Sequence, residues 1–236
     1  MKTKLFTLIL ILFVLQPEVS GQMKRVKADA GIRFGVLAGG GVHTFIGKNY
    51  WGEKLDHKMN LGLHVGTNVI LPVFGDLWIQ PGMNLIIKGS RQLITTIDNE
   101  TQKPYNIIKE TNLGYLEVPL LILYRPQLGD GHLLLGAGPY GAYGLIGNER
   151  TMDKSITTEL KVKFLADATG EPAEYVYYRA LDAGAAALIG YELYNGLFTQ
   201  LNGQMGLTKL NSNYGITNDP AIKKNLGLSL SAGFRF

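Results

Sequence analysis

The sequence predicts an all-β protein: an eight-stranded antiparallel up-and-down transmembrane β-barrel with short periplasmic turns and long extracellular loops. Three observations predict it. Eight segments alternate apolar with small or polar residues at a period of two, the period of a strand. The connections between them alternate short and long. The non-apolar alternates are Gly, Asn, Gln and Ser with few charges, whereas a soluble sandwich or lipocalin-like barrel carries many charges on its wet face. The apolar set is therefore expected to face lipid and the small set to crowd the axis.

The segments follow in order. FGVLAGGGVHTFIG (34–47) is first and KMNLGLHVGTNVILP (58–72) second. In the second, Leu61, Leu63, Val65, Thr67, Val69 and Leu71 form the outward set, and Asn60, Gly62, His64, Gly66 and Asn68 the inward one. In LWIQPGMNLIIKG (77–89) the outward set is Leu77, Ile79, Pro81, Met83, Leu85 and Ile87, opposite Trp78, Gln80, Gly82, Asn84 and Lys88. Strands are also expected near 112–125, 132–146, 180–193, 196–209 and 225–236. Each is long enough for the 9–11 residues, roughly, that a tilted strand needs to cross a bilayer.

Tight turns VFGD (73–76), PQLGDG (126–131) and YNG (194–196) follow strands two, four and six. Longer connections fall at 48–57, 90–111, 147–179 and 210–224. An even strand count with this asymmetry puts both ends of the barrel on the short-turn side. Pro81, Pro119 and Pro139 lie inside strands and each forfeits a ladder hydrogen bond, so bulges are expected there. The 90–111 and 147–179 loops alternate about DNETQKP and ADATGEP, which predicts ribbons with tips near 98–104 and 167–173. Tyr115, Tyr124, Tyr143, Tyr191, Phe198 and Phe236 are expected as interfacial aromatics.

Ahead of the barrel, Lys2 and Lys4 precede LFTLILILFVL (5–15), with Pro17 and the small residues Ser20 and Gly21 beyond. This reads as a cleaved signal peptide over 1–21, leaving one outer-membrane domain over 22–236. Loss of Lys2, Lys4 and Glu18 takes the formal charge from +4 to +3, too mild to argue for nucleic acid. The chain has no cysteine, which excludes disulfides, thiolate metal sites and cysteine nucleophiles.

The expected site residues are inward and polar. His43, His64, Lys88, Glu117, Arg125, Glu192 and Arg235 form a lumen network, because charges in a narrow bore must be paired or hydrated. Glu117 is placed near Lys88 in the outer half, and Glu192 with Arg235 or Arg125 in the inner half. A hairpin centred near 52 makes His43 and His64 diagonal neighbours. They lack a third ligand, so no metal and no cofactor are expected. Ser90, Thr44, Asp182 and His43 lie toward the outer rim without an ordered nucleophile motif, and no enzymatic activity is expected. AGGGVH (38–43) precedes no helix and reads as close packing, not as a phosphate loop.

GYLEVPLLILYR (114–125), LLLGAGPYGAYGL (133–145) and GLSLSAGFRF (227–236) resemble the PorT-like outer-membrane β-barrel family of Bacteroidetes-type bacteria, among the OmpA- and OmpX-like small barrels. The resemblance spans the mature chain and implies fold and location, not activity. It implies that Leu228, Leu230, Phe234 and Phe236 act as a C-terminal signal for the barrel assembly machinery. The functional expectation is a monomeric, non-enzymatic barrel in contact with outer-membrane lipids, with its bore plugged. Its loops, 90–111 and 147–179, would meet an extracellular or envelope partner. The alternatives are a small-solute pore or a component of a secretion apparatus, and beyond these a lipid-modifying enzyme.

Overall fold

The computed structural model describes residues 31–98, 102–154, 156–215 and 220–236; the expected signal segment 1–21 lies outside them. Eight strands make the wall. They are β1 (Arg33–Lys48), β2 (Asn60–Phe74), β3 (Leu77–Ile97), β4 (Pro104–Tyr124), β5 (Gly131–Asp153), β6 (Leu181–Leu193), β7 (Leu197–Gly206) and β8 (Ile222–Arg235). Each pairs antiparallel with the next, and β8 pairs back onto β1 from Gly35↔Arg235 to Lys48↔Ile222. The ring closes, which removes the free edges of an open sheet.

Facing follows the alternation. Leu61 is 80% exposed and Ile79 38%, whereas His64 is 8% and Gln80 4% exposed. Large aliphatic side chains thus point away from the protein along the wall, and polar ones are sealed inside it. Water would make that arrangement unfavourable; hydrocarbon makes it the stable one. The three expected tight turns carry Gly75, Gly129 and Gly196, all at positive φ. At Gly196 a Cβ would also lie 2.2 Å from the Arg235 carbonyl oxygen, so both backbone and space require glycine.

The prolines behave differently from the expectation of bulges. Pairs on either side of Pro81 keep one register (Asn68↔Gly82, Leu71↔Ile79), and Pro139 pairs directly with Ala185. Across β4 and β5, Pro119↔Tyr140 and Ile122↔Ala137 also keep one register. A proline removes an N–H without adding a residue, so it opens the ladder but does not shift it. The register shifts lie elsewhere, between Pro72 and Phe74 and between Gly114 and Tyr115.

Above the wall, β3 and β4 continue as a ribbon up to Asp98, whose N–H donates to the Lys103 carbonyl at 3.0 Å; the tip expected near 98–104 lies partly outside the described residues. The second ribbon corrects the expectation. β5 runs to Asp153 and returns as Ile156–Phe164, so its tip is at Lys154 and not at 167–173. The reversal at 167–173 is real, with Gly170 at positive φ, but it belongs to a separate lobe. That lobe brings Val176–Tyr178 back parallel to Val162–Phe164. Two further aromatics are misassigned by sequence: Tyr115 and Phe198 are each 1% exposed and point inward, whereas Tyr124, Tyr143 and Phe236 are exposed.

Candidate functional site

The bore is filled in layers, and inward glycines make the room for them. A Cβ on Gly227 would sit 2.1 Å from His43 Nδ1, so the imidazole occupies space the glycine vacates. At the periplasmic end one carboxylate meets three guanidiniums. Glu192 pairs with Arg125 at 3.0 Å, with Arg235 and with Arg33. Arg235 also donates to Asn68 Oδ1 at 3.4 Å and Gln80 Oε1 at 3.3 Å, and its guanidinium lies 4.5 Å from the Phe198 ring. Arg125 lies 5.4 Å from the Trp78 ring. Burying several cations is tolerable only because carboxylate, amides and ring faces replace lost water.

In the outer half the charge ratio reverses. Lys88 Nζ lies 2.8 Å from Glu117 Oε2 and 3.1 Å from Asp182 Oδ2, and 4.2 Å from the Tyr140 ring centroid. Tyr140 donates to Asp182 at 3.2 Å, Asn225 donates to it at 2.8 Å, and Gln204 donates to Glu117 at 2.7 Å. Between the two charged layers lies a cavity of about 40 Å³ lined by His64, Asn68, Gln80, Asn84, Gln200 and Ser231 among others. It suits a few waters, not a solute.

The mouth is closed by apolar packing. Phe45, Leu113, Tyr178 and Leu210 are buried, with the Phe45 and Tyr178 rings 6.0 Å apart. Backbone bonds tie the lobe across this cap: Ala168 N–H to the Asn213 carbonyl at 2.7 Å, Asn213 N–H to the Ala166 carbonyl at 3.0 Å, and Arg179 N–H to the Leu210 carbonyl at 2.7 Å. The two ribbon tips are joined by an ion pair between Lys154 and Asp98, which raises the Lys154 pKa.

The rim also holds a Ser–His contact for which the sequence named no partner. Ser90 Oγ lies 2.8 Å from His57 Nδ1, and His43 is not its partner. Burial, with Lys223 and Lys109 nearby, lowers the His57 pKa to about 4. Ser90 is 1% exposed. His43 stands opposite Asn60 and His64 opposite Gly39, so the two are not diagonal neighbours; the hairpin turns near 52 as expected, but that register leaves His64 beyond the diagonal positions of His43. His64 instead bonds Ser231 Oγ at 2.8 Å. Thr44 Oγ1 donates to the carbonyls of His57 and Lys58.

The structure thus brings Lys88 to Glu117 and Glu192 to both Arg125 and Arg235. Sequence reasoning missed Arg33 in the inner layer, and placed Asp182 toward the outer rim without naming it as the second acceptor for Lys88. Alternation in β1 and β6 places both residues inward and was the available signal. Leu228, Leu230, Phe234 and Phe236 share the outward face of the β8 segment and lie apart from these layers.

Closed ring, outward aliphatics and a packed polar interior define an outer-membrane β-barrel. The chain belongs to the outer membrane protein β-barrel domain family, which matches residues 20–212. Its place is therefore the outer membrane. No curated protein matches the chain. Among solved structures it is similar to Neisserial surface protein A, with 10% identity and a TM-score of 0.42, covering 87% of this chain and 99% of that one. It is similar to Ail, the attachment invasion locus protein of Yersinia pestis, solved with the heparin analogue sucrose octasulfate. Identity there is 11% and TM-score 0.38, over 87% of this chain and 99% of that one. An outer membrane channel from Pseudomonas putida F1 is similar at 13% identity and TM-score 0.29, over 94% and 100%. Likeness at this level says nothing about ligands.

Proposed function

We propose that this protein is a non-enzymatic barrel that presents structured extracellular loops to an extracellular or envelope partner, through adhesion, ligand capture or docking. The observation that carries the reading is that the outer end is built into ordered surfaces on a filled, rigid wall, the usual division between scaffold and binding loops. The first loop shows this most clearly. Asn49 Oδ1 accepts from the N–H groups of Trp51 at 3.0 Å and Glu53 at 2.9 Å, and Asn49 Nδ2 donates to Glu53 Oε2 at 3.0 Å. This clamp holds Tyr50 and Trp51 edge-to-face with Trp51 79% exposed. A clamped, solvated indole is a ready-made contact surface, because its ordering cost is already met in the free protein.

PorT-like affiliation, a cleaved leader, a monomeric state and reading of Leu228, Leu230, Phe234 and Phe236 by the assembly machinery belong to the same proposal. Sealing of Ser90 beneath the rim supports a structural, not catalytic, role for the Ser90–His57 contact. The small interior cavity supports a plugged bore over the runner-up, a small-solute pore or secretion component.

The test places photo-crosslinkers at Trp51, Lys103 and Ala173 on cells and identifies the adducts. A recurrent envelope or external protein adduct from at least one position is expected. None from any position, together with steady open-state current in planar bilayers, would replace this reading with the pore.

A further inference from the structure

The lipid-facing wall is uneven. On β2 to β4 its middle is bulky, with Leu63, Val65, Met83, Leu85, Leu120 and Ile122 exposed. On β5 to β7 one row reads Ala137, Ala187, Gly203 by register, continuing to Leu228 on β8 and Val42 on β1. The row above it reads Ala185, Met205, Leu226, Thr44. Together with Met59 these rows enclose an apolar hollow of about 700 Å³.

Nothing in the wall requires glycine at its floor. A Cβ on Gly203 would meet no atom within 4 Å, and its φ is not in the left-handed region. Glycine inside a strand otherwise weakens it. The hollow is kept open by a side chain that is missing without a packing reason.

A cation stands at the hollow's outer end. Lys224 is the next outward residue of β8 after Leu226, and it pairs in register with Ile46, one row above Thr44. Among the described residues it has no ion-pair partner. A lone ammonium beside an apolar trough, on the extracellular side, matches an amphiphile with an anionic head. It fits a second copy of the chain poorly, because a two-fold contact centred on the hollow draws two Lys224 ammonium groups together.

We propose that the β5–β8 face seats one acyl chain of a phosphorylated lipid of the outer leaflet, with the lipid phosphate against Lys224. The chain fills the trough over Ala187 and Gly203, and the phosphate replaces water around the ammonium.

Native mass spectrometry of the folded full chain tests this with two probes, a bisphosphorylated acylated diglucosamine and the same lipid without phosphates. Wild type is expected to retain the phosphorylated probe preferentially. Lys224→Glu should cut that retention at least about fivefold while sparing the dephosphorylated probe. Gly203→Leu, for which the wall has room, should lower retention of both, and Lys224→Arg should behave as wild type. Equal retention of the two probes by wild type overturns the proposal. So does unaltered retention in Gly203→Leu, or a second copy of the chain displacing lipid from this face.

Discussion

Lys88 Nζ lies 2.8 Å from Glu117 Oε2 across the β3–β4 pair, with both side chains sealed from solvent. Asp182 reaches the same ammonium from the opposite wall, on β6. Removing the one cation from this layer is worse than removing one of its two anions. Lys88→Met should therefore cost about 3–5 kcal/mol in urea unfolding from lipid vesicles, the scale of an orphaned buried partner. Glu117→Gln, which leaves Lys88 paired with Asp182, should cost clearly less. Equal losses would show that the layer acts by volume and not by charge.

Orientation of the wall gives a second expectation. Leu230 faces out and its neighbours Ser229 and Ser231 face in. Leu230→Arg near mid-height should lower barrel stability by about 2–4 kcal/mol in a bilayer. A lipid-phase photolabel should mark Leu61, Ile79 and Leu230 and spare Asn60, Gln80 and Ser229; the reverse pattern would invert the fold.

At the rim, pH should act through His57. Its folded pKa is held at about 4, below the ordinary 6.5, first by burial and then by Lys223 and Lys109, against the opposing pull of Asp56 and Glu149. The folded state therefore binds fewer protons there than the unfolded one. The associated stability is present above pH 6.5 and is lost as pH falls toward 4. Protection factors at 55–58, taken against intrinsic exchange at each pH, should fall over that window, and His57→Gln should abolish the dependence.

The Asn49 clamp predicts a local change without a global one. Asn49→Ala should lower the fluorescence anisotropy of Trp51 in a Trp78→Phe background. Unfolding free energy should move by no more than about 0.5 kcal/mol, as for other surface changes. Unchanged anisotropy would mean that packing, not the asparagine, fixes the indole.

The wall was legible because period-two alternation and turn glycines act locally. Leu61 against His64, or Gly196 in its turn, can be read within a few residues. The filling of the bore was legible only in part. Alternation puts Lys88, Glu117 and Glu192 inside, but which partner each meets depends on strand tilt and register around the ring. Hence Arg33 was missed, and Asp182 was assigned to the rim. The loops were least legible: ADATGEP marks a true reversal, yet nothing nearby in sequence says that Asn213 receives it or that the ribbon turns earlier, at Lys154.

The inner ion cluster gathers Arg33 from β1, Arg125 from the end of β4, Glu192 from β6 and Arg235 from β8. No hairpin, and no half of the barrel, owns the full set. A nascent sheet still open at the β1–β8 seam would carry these arginines incompletely neutralised, an unfavourable state beside hydrocarbon. The cluster thus works as a latch: it sets when the cylinder shuts, and it biases assembly toward one concerted final step.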